Sequence, residues 1–152
     1  MAKTYTIPVT QTLQSAFGTL LNADSFTAAN GGTAPTNTKL LCTAGADGSI
    51  LKSLIISSDD SSSRTIQFWI STDAGTTKYL IGSIAVAANS GTNGTNANVD
   101  FLGSQIIIGM CTDASGKYVI PLAANARVYY GVITAAVTSG RTIYISATLE
   151  DF

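Results

Sequence analysis

Hydrophobic and polar residues alternate along several short stretches of this chain, and clusters of Gly, Asn, Asp and Ser separate those stretches. Residues 64–71 are the clearest case: Ile66, Phe68 and Ile70 fall on one face, and Thr65, Gln67 and Trp69 on the other. A strand buried on one side has this period of two. The same alternation runs through Val128, Tyr130, Val132 and Thr134 in 127–136, and through Ile143, Ile145, Ala147 and Leu149 in 141–149. Further strands are predicted at 39–43, 49–58, 77–87 and 117–122, and 101–110 reads as a buried strand or a packed connector. Between them lie turn sequences such as Ala44-Gly-Ala-Asp-Gly, Asp59-Asp-Ser-Ser-Ser, Asp73-Ala-Gly-Thr and Asp113-Ala-Ser-Gly, and a polar surface loop at 88–98. About eight short strands at spacings of roughly 8–12 residues predict an all-β fold. The expected architecture is an antiparallel β-sandwich of jelly-roll type over residues 38–152.

Residues 1–37 break the pattern. Tyr5 to Val9 can be extended, with Pro8 confining the segment to an edge. Leu13, Ala16, Phe17, Leu20 and Leu21 then recur at helical spacing, interrupted by Gly18. A short helix and an irregular arm both fit. Asn30-Gly-Gly-Thr-Ala-Pro is a loop. The segment reads as an N-terminal arm or lead-in to the β domain.

Composition changes the picture in one respect. The 152 residues fit a single domain, but only 11% are charged, against about 25% in an average soluble domain. Ser, Thr, Asn and Gly take the place of Lys and Glu. A surface with few charges loses little hydration energy when a partner covers it, so burial in a homo-oligomer or a larger assembly is expected. The net charge is −1 and the eight basic residues are scattered, so the Lys/Arg patch that nucleic acid requires is absent. No apolar run approaches the ~18 residues of a membrane span. Met1-Ala-Lys-Thr-Tyr lacks the layout of a secretory signal, so accumulation in the producing cell's cytoplasm is expected. Cys42 and Cys111 sit in apolar contexts without metal-type spacing and read as buried free thiols. The Asn93-Gly-Thr sequon reads better as a turn.

The chain contains no histidine, which removes the usual general base near neutral pH and the commonest metal ligand. Eight of the nine acidic residues are Asp, mostly in turns, where the side chain bonds nearby amides. Asp59-Asp60 is the best available half of a carboxylate pair, but adjacent loop acids are usually solvated. The Asp-rich loops lack calcium-loop spacing, and no phosphate-binding glycine motif occurs. No catalytic, cofactor-binding or metal-ligating residue is therefore assigned, and the expectation is a non-enzymatic protein. Trp69, Tyr79, Tyr129 and Tyr130 are the aromatic candidates for a sugar-binding face.

Several segments carry a resemblance: Leu41-Cys-Thr-Ala-Gly-Ala-Asp-Gly-Ser-Ile, Ser58-Asp-Asp-Ser-Ser-Ser-Arg-Thr-Ile-Gln-Phe-Trp-Ile, Tyr79-Leu-Ile-Gly-Ser-Ile, Gly91-Thr-Asn-Gly-Thr, Val99-Asp-Phe-Leu, Asp113-Ala-Ser-Gly-Lys and the ending Glu150-Asp-Phe. Together, over residues 38–152, they resemble small virion proteins of tailed bacteriophages, similar to jelly-roll head decoration (cement) proteins. The resemblance implies a protein on the outer capsid surface that contacts the major capsid protein, staples neighbouring subunits and acts as a dimer or trimer. A tail, fibre or host- and glycan-binding module of the virion is the alternative. Tyr5, Ile7 and Phe17 of the arm, with Trp69 and Tyr129 on outer strand faces, are the candidate partner contacts.

Overall fold

The computed structural model describes residues 12–24, 37–104, 109–133 and 135–152. Ten strands lie in this part of the chain: β1 (Thr12–Leu20), β2 (Lys39–Thr43), β3 (Ser49–Ser58), β4 (Arg64–Ser71), β5 (Tyr79–Val86), β6 (Val99–Asp100), β7 (Cys111–Thr112), β8 (Tyr118–Leu122), β9 (Arg127–Ile133) and β10 (Ile143–Asp151). A four-residue helix, α1 (Phe101–Ser104), follows β6. One sheet has the order β1-β10-β3-β8-β7, with β6 also on β3, and the other has the order β2-β9-β4-β5.

The pairing follows one rule. If the short β6 and β7 are set aside, eight strands remain, and each pairs antiparallel with its counterpart from the other end of the chain. These pairs are β1 with β10, β2 with β9, β3 with β8, and β4 with β5. Pairing of β3 with β10 and of β4 with β9 completes the two sheets. A long hairpin rolled up into two packed sheets is the jelly roll, as the strand spacing predicts.

The core lies between the sheets and comes from the inward half of each alternation. Leu51, Leu54, Ile56, Ile143, Ile145 and Leu149 on one sheet meet Ile66, Phe68, Val128, Tyr130 and Val132 on the other. α1 contributes Phe101 and Leu102, and the Phe101 ring packs on Phe68 with centroids 4.5 Å apart. Asp100 Oδ1 accepts the Leu102 and Gly103 amides at 3.1 Å each, capping this turn. The structure thus puts a helical turn at the start of the 101–110 stretch; Ile106 to Ile108 lie outside the described residues.

The helical spacing at 13–21 does not produce a helix. Residues 12–20 form β1, in unbroken register with β10 from Thr12 opposite Asp151 to Leu20 opposite Ile143. The inward row of this strand holds small residues, Ala16 and Gly18, before ending in the fully buried Leu20. Tyr130 explains the gap. Its side chain crosses the core from the second sheet and donates from its hydroxyl to the Thr19 carbonyl at 3.2 Å. A Cβ at position 18 would overlap the Tyr130 hydroxyl and ring. The cysteines also divide: Cys42 is buried, whereas Cys111, expected inside, is exposed on the two-residue strand β7.

Gly18→Ala is expected to lower stability by about 1–3 kcal/mol through overpacking against Tyr130. Urea denaturation checks this, and trimming the ring in Gly18→Ala/Tyr130→Leu should show a non-additive recovery relative to the two single changes.

Candidate functional site

Most of the turn acids are consumed by structure. Asp60 follows β3 and is fully buried. Its carboxylate accepts from Arg64 Nε at 2.7 Å, the Thr138 hydroxyl at 2.7 Å, the Thr138 amide at 2.9 Å and the Ser62 amide at 3.0 Å. Arg64 Nη2 also donates to the Thr138 hydroxyl at 2.9 Å, closing a triangle. The Asp60 carbonyl accepts the Asn89 amide at 2.8 Å. Burial alone would push the Asp60 carboxyl up, but Arg64, the Thr138 hydroxyl and amide, and the Ser62 amide together hold it well below the usual carboxylate range. Asp59 accepts the Thr142 amide. The expectation of solvated acids at 59–60 therefore fails for Asp60, which is buried because three loops converge on it. Asp73 and Asp113 accept amides two to four residues ahead in their own turns, as Asp in turns should. Among the described residues, no three acidic or thiol side chains stand close enough to hold a metal ion.

What remains is surface. Of the candidate contacts, Tyr5 and Ile7 lie outside the described residues. Phe17 stands out from β1 with 79% of its surface exposed. Trp69 and Tyr129 are cross-strand partners on the outer face of the second sheet, where the alternation puts them, but they are 2% and 8% exposed. The β4–β5 loop covers Tyr129. Arg127 donates to the Ala74 carbonyl at 2.7 Å, Lys78 Nζ lies 4.9 Å from the Tyr129 ring centroid, and Gly75 sits over the Tyr129 hydroxyl. Gly75 has φ of 99°, and a side chain there would meet the phenol. Phe17 and the Trp69–Tyr129 pair thus belong to opposite sheets and form no common site. The sugar-face aromatics do not converge either: Tyr130 is core, Trp69 and Tyr129 are covered, and Tyr79 alone is exposed.

The outer face of β1, β10 and β3 is the better candidate. Register places Thr19, Tyr144 and Ser57 in one cross-strand row and Phe17, Ser146 and Ile55 in the next. These rows border a shallow depression of about 290 Å³ that also involves Asn98 and contains no charged side chain. Ile55 continues into a second cleft of about 370 Å³, lined by Lys52, Asp100, Leu102, Lys117 and Tyr118. Here Lys52 bridges Asp113 and Glu150 at 3.3 Å each. The face therefore has an apolar, uncharged half beside β1 and a charged half beside β8. Sequence reasoning found Phe17 and missed Tyr144, although Tyr144 occupies the outward row of the clean 141–149 alternation.

No family model matches the chain, and no curated protein matches it. One solved structure, the cyanophage Pam1 capsid asymmetric unit, is similar over 100% of this chain and 94% of the other, at 15% identity and a TM-score of 0.44. The jelly-roll topology stands on the strand pairings without it.

Two outcomes follow for the buried groups. The unfolded chain protonates Asp60 near its ordinary pKa of about 3.9, before the folded chain does, so this carboxylate stabilises the fold above that pH and its contribution falls away below about pH 4. Asp60→Asn should cost about 3–5 kcal/mol at neutral pH by leaving Arg64 without its buried partner, and should flatten the acid limb of a stability-against-pH curve. Burial pushes the Cys42 thiol up to about 12, so a thiol reagent should titrate Cys111 in the native protein and Cys42 only after denaturation.

Proposed function

We propose that this protein is a structural component of a tailed-bacteriophage virion, one that binds the outer capsid surface and bridges neighbouring major capsid protein subunits as a decoration or cement protein. The observation that carries the reading is the uncharged, apolar half of the outer face beside β1, presented by a jelly roll in which Asp59, Asp60, Asp73 and Asp113 are tied into the scaffold. A bridge between subunits must resist deformation, and two hydrogen-bonded sheets around a close-packed core do so. Its contact face must give up water at little cost. Phe17, Tyr144 and Ile55, set among Ser, Thr and Asn, satisfy that requirement. The virion context comes from the sequence resemblance over residues 38–152. Many copies on a closed shell would then add avidity to modest single contacts. A glycan-binding role draws no support from Trp69, Tyr129 and Tyr130, which are buried; a tail or fibre role is the alternative virion placement.

Incubation with undecorated heads of the cognate phage, followed by sedimentation, tests the proposal. The full chain should cosediment with the heads and raise their thermal stability. Tyr144→Asp should weaken attachment at least about tenfold, equivalent to about 1.4 kcal/mol, with an unchanged melting temperature, since Tyr144 is half-exposed. Removing residues 1–11, which precede β1 and include Tyr5 and Ile7, should likewise weaken attachment more than folding. Failure of the full chain to bind these heads would sink the capsid reading.

A further inference from the structure

We propose that the outer edge of β1 is a self-association surface, on which a second copy of the chain adds its own β1 antiparallel about a twofold axis and joins the two β1-containing sheets into one. An edge strand presents a row of backbone donors and acceptors that an extended segment can pair with, and proteins usually block such edges with charge, proline, bulges or short length. β1 has none of these. It runs nine residues, Thr12-Leu-Gln-Ser-Ala-Phe-Gly-Thr-Leu, without a charged residue or a proline and without a register break against β10.

The other edges differ. β7 is two residues long. β2 pairs with β9 through a bulge at Leu40/Cys42, and its Lys39 is held by Asp24 at 3.0 Å. β5 faces a bulge at Phe68/Trp69, which increases local twist and disrupts a flat ladder. Among the described residues, β1 ends its sheet order, and Leu13 and Phe17 stand 66% and 79% exposed on one face of it.

Charge selects the occupant. Twofold pairing sets a strand against itself, so any charged residue in it risks a like-charge opposition. β1 carries no charge, and therefore suits its own copy in every register while offering nothing to a charged partner. Side-chain chemistry selects the register. Pairing centred on Ser15 puts each Leu13 opposite the other copy's Phe17, Ser15 opposite Ser15, and Gln14 opposite Ala16. Both exposed apolar side chains then gain a neighbour twice over. The apolar half of the outer face becomes continuous across the axis.

Analytical ultracentrifugation of the full chain over a wide concentration range tests this. A dimer is expected. Phe17→Lys should halve the sedimenting mass without moving the melting temperature, and mixing it with Leu13→Glu, which this register sets opposite position 17, should restore the dimer. In a Cys111→Ser background, Ser15→Cys should oxidise to a disulfide-linked dimer, since directly opposed Cα atoms of an antiparallel pair stand at disulfide distance. Tyr79→Cys on the β5 edge should not. A wild-type monomer or trimer, a dimer that survives Phe17→Lys, or cross-linking through β5 in place of β1 would each overturn the proposal. It stands apart from the capsid reading: a monomer that still binds heads refutes the dimer alone.

Discussion

Both ends of β3 are held by buried aspartates, and the sandwich depends on that arrangement. β3 is the inner strand of the larger sheet, and the chain changes sheets immediately before and after it. At its end, Asp60 fixes the corner into β4 by gathering Arg64, Ser62 and Thr138. At its start, Asp151 accepts from Ser49 and Gln14, while Ser49 takes the Gly45 amide at 2.9 Å in the corner from β2. Hydrophobic burial is non-directional and would tolerate sliding of one sheet over the other. Two charge-assisted networks at fixed corners remove that freedom.

With the corners fixed, the positions of the remaining elements follow. Tyr130 reaches across the core to the Thr19 carbonyl and recruits β1 to the outside of β10, so the segment read as an arm contributes a strand to the sheet. That strand carries Phe17 to the outer face beside Tyr144 and Ile55. The proposed contact face is thus a product of one phenol and the glycine that makes room for it. On the opposite sheet Tyr129 lies under the β4–β5 loop, with its cross-strand neighbour Trp69 buried beside it.

Much of this was legible in the chain. The strands at 39–43, 49–58 and 64–71 coincide with their apolar runs because turn clusters bracket each one, and in 64–71 Ile66 and Phe68 also face inward while Thr65 and Gln67 face outward. β1 was not legible, for the converse reason: its inward positions are small where Tyr130 passes, and its outward positions carry Leu13 and Phe17. A period of two then looks like a helical stripe. For Trp69 the alternation gave the correct face but not the burial, and for Tyr129 beside it the burial comes from the β4–β5 loop, which the strand pattern does not report. Asp60 was indistinguishable from Asp59 in sequence, since its partner Thr138 is 78 residues distant. The Arg64 four residues on was the only local signal.

The pairing of each strand with its counterpart from the far end also dictates an order of events in time. Among the four nested pairs only β4 and β5 are joined by a short loop; every enclosing pair must close a longer one, and β1 meets β10 only when β10 has been made. Loop closure of this kind slows folding. During synthesis β1 emerges before the other described strands and waits longest for its partner, with Leu13, Phe17 and Leu20 all uncovered. The jelly roll therefore completes only once β10 has been made, and the cell carries an unpaired, uncharged strand until then, an interval in which chaperones and aggregation compete for it.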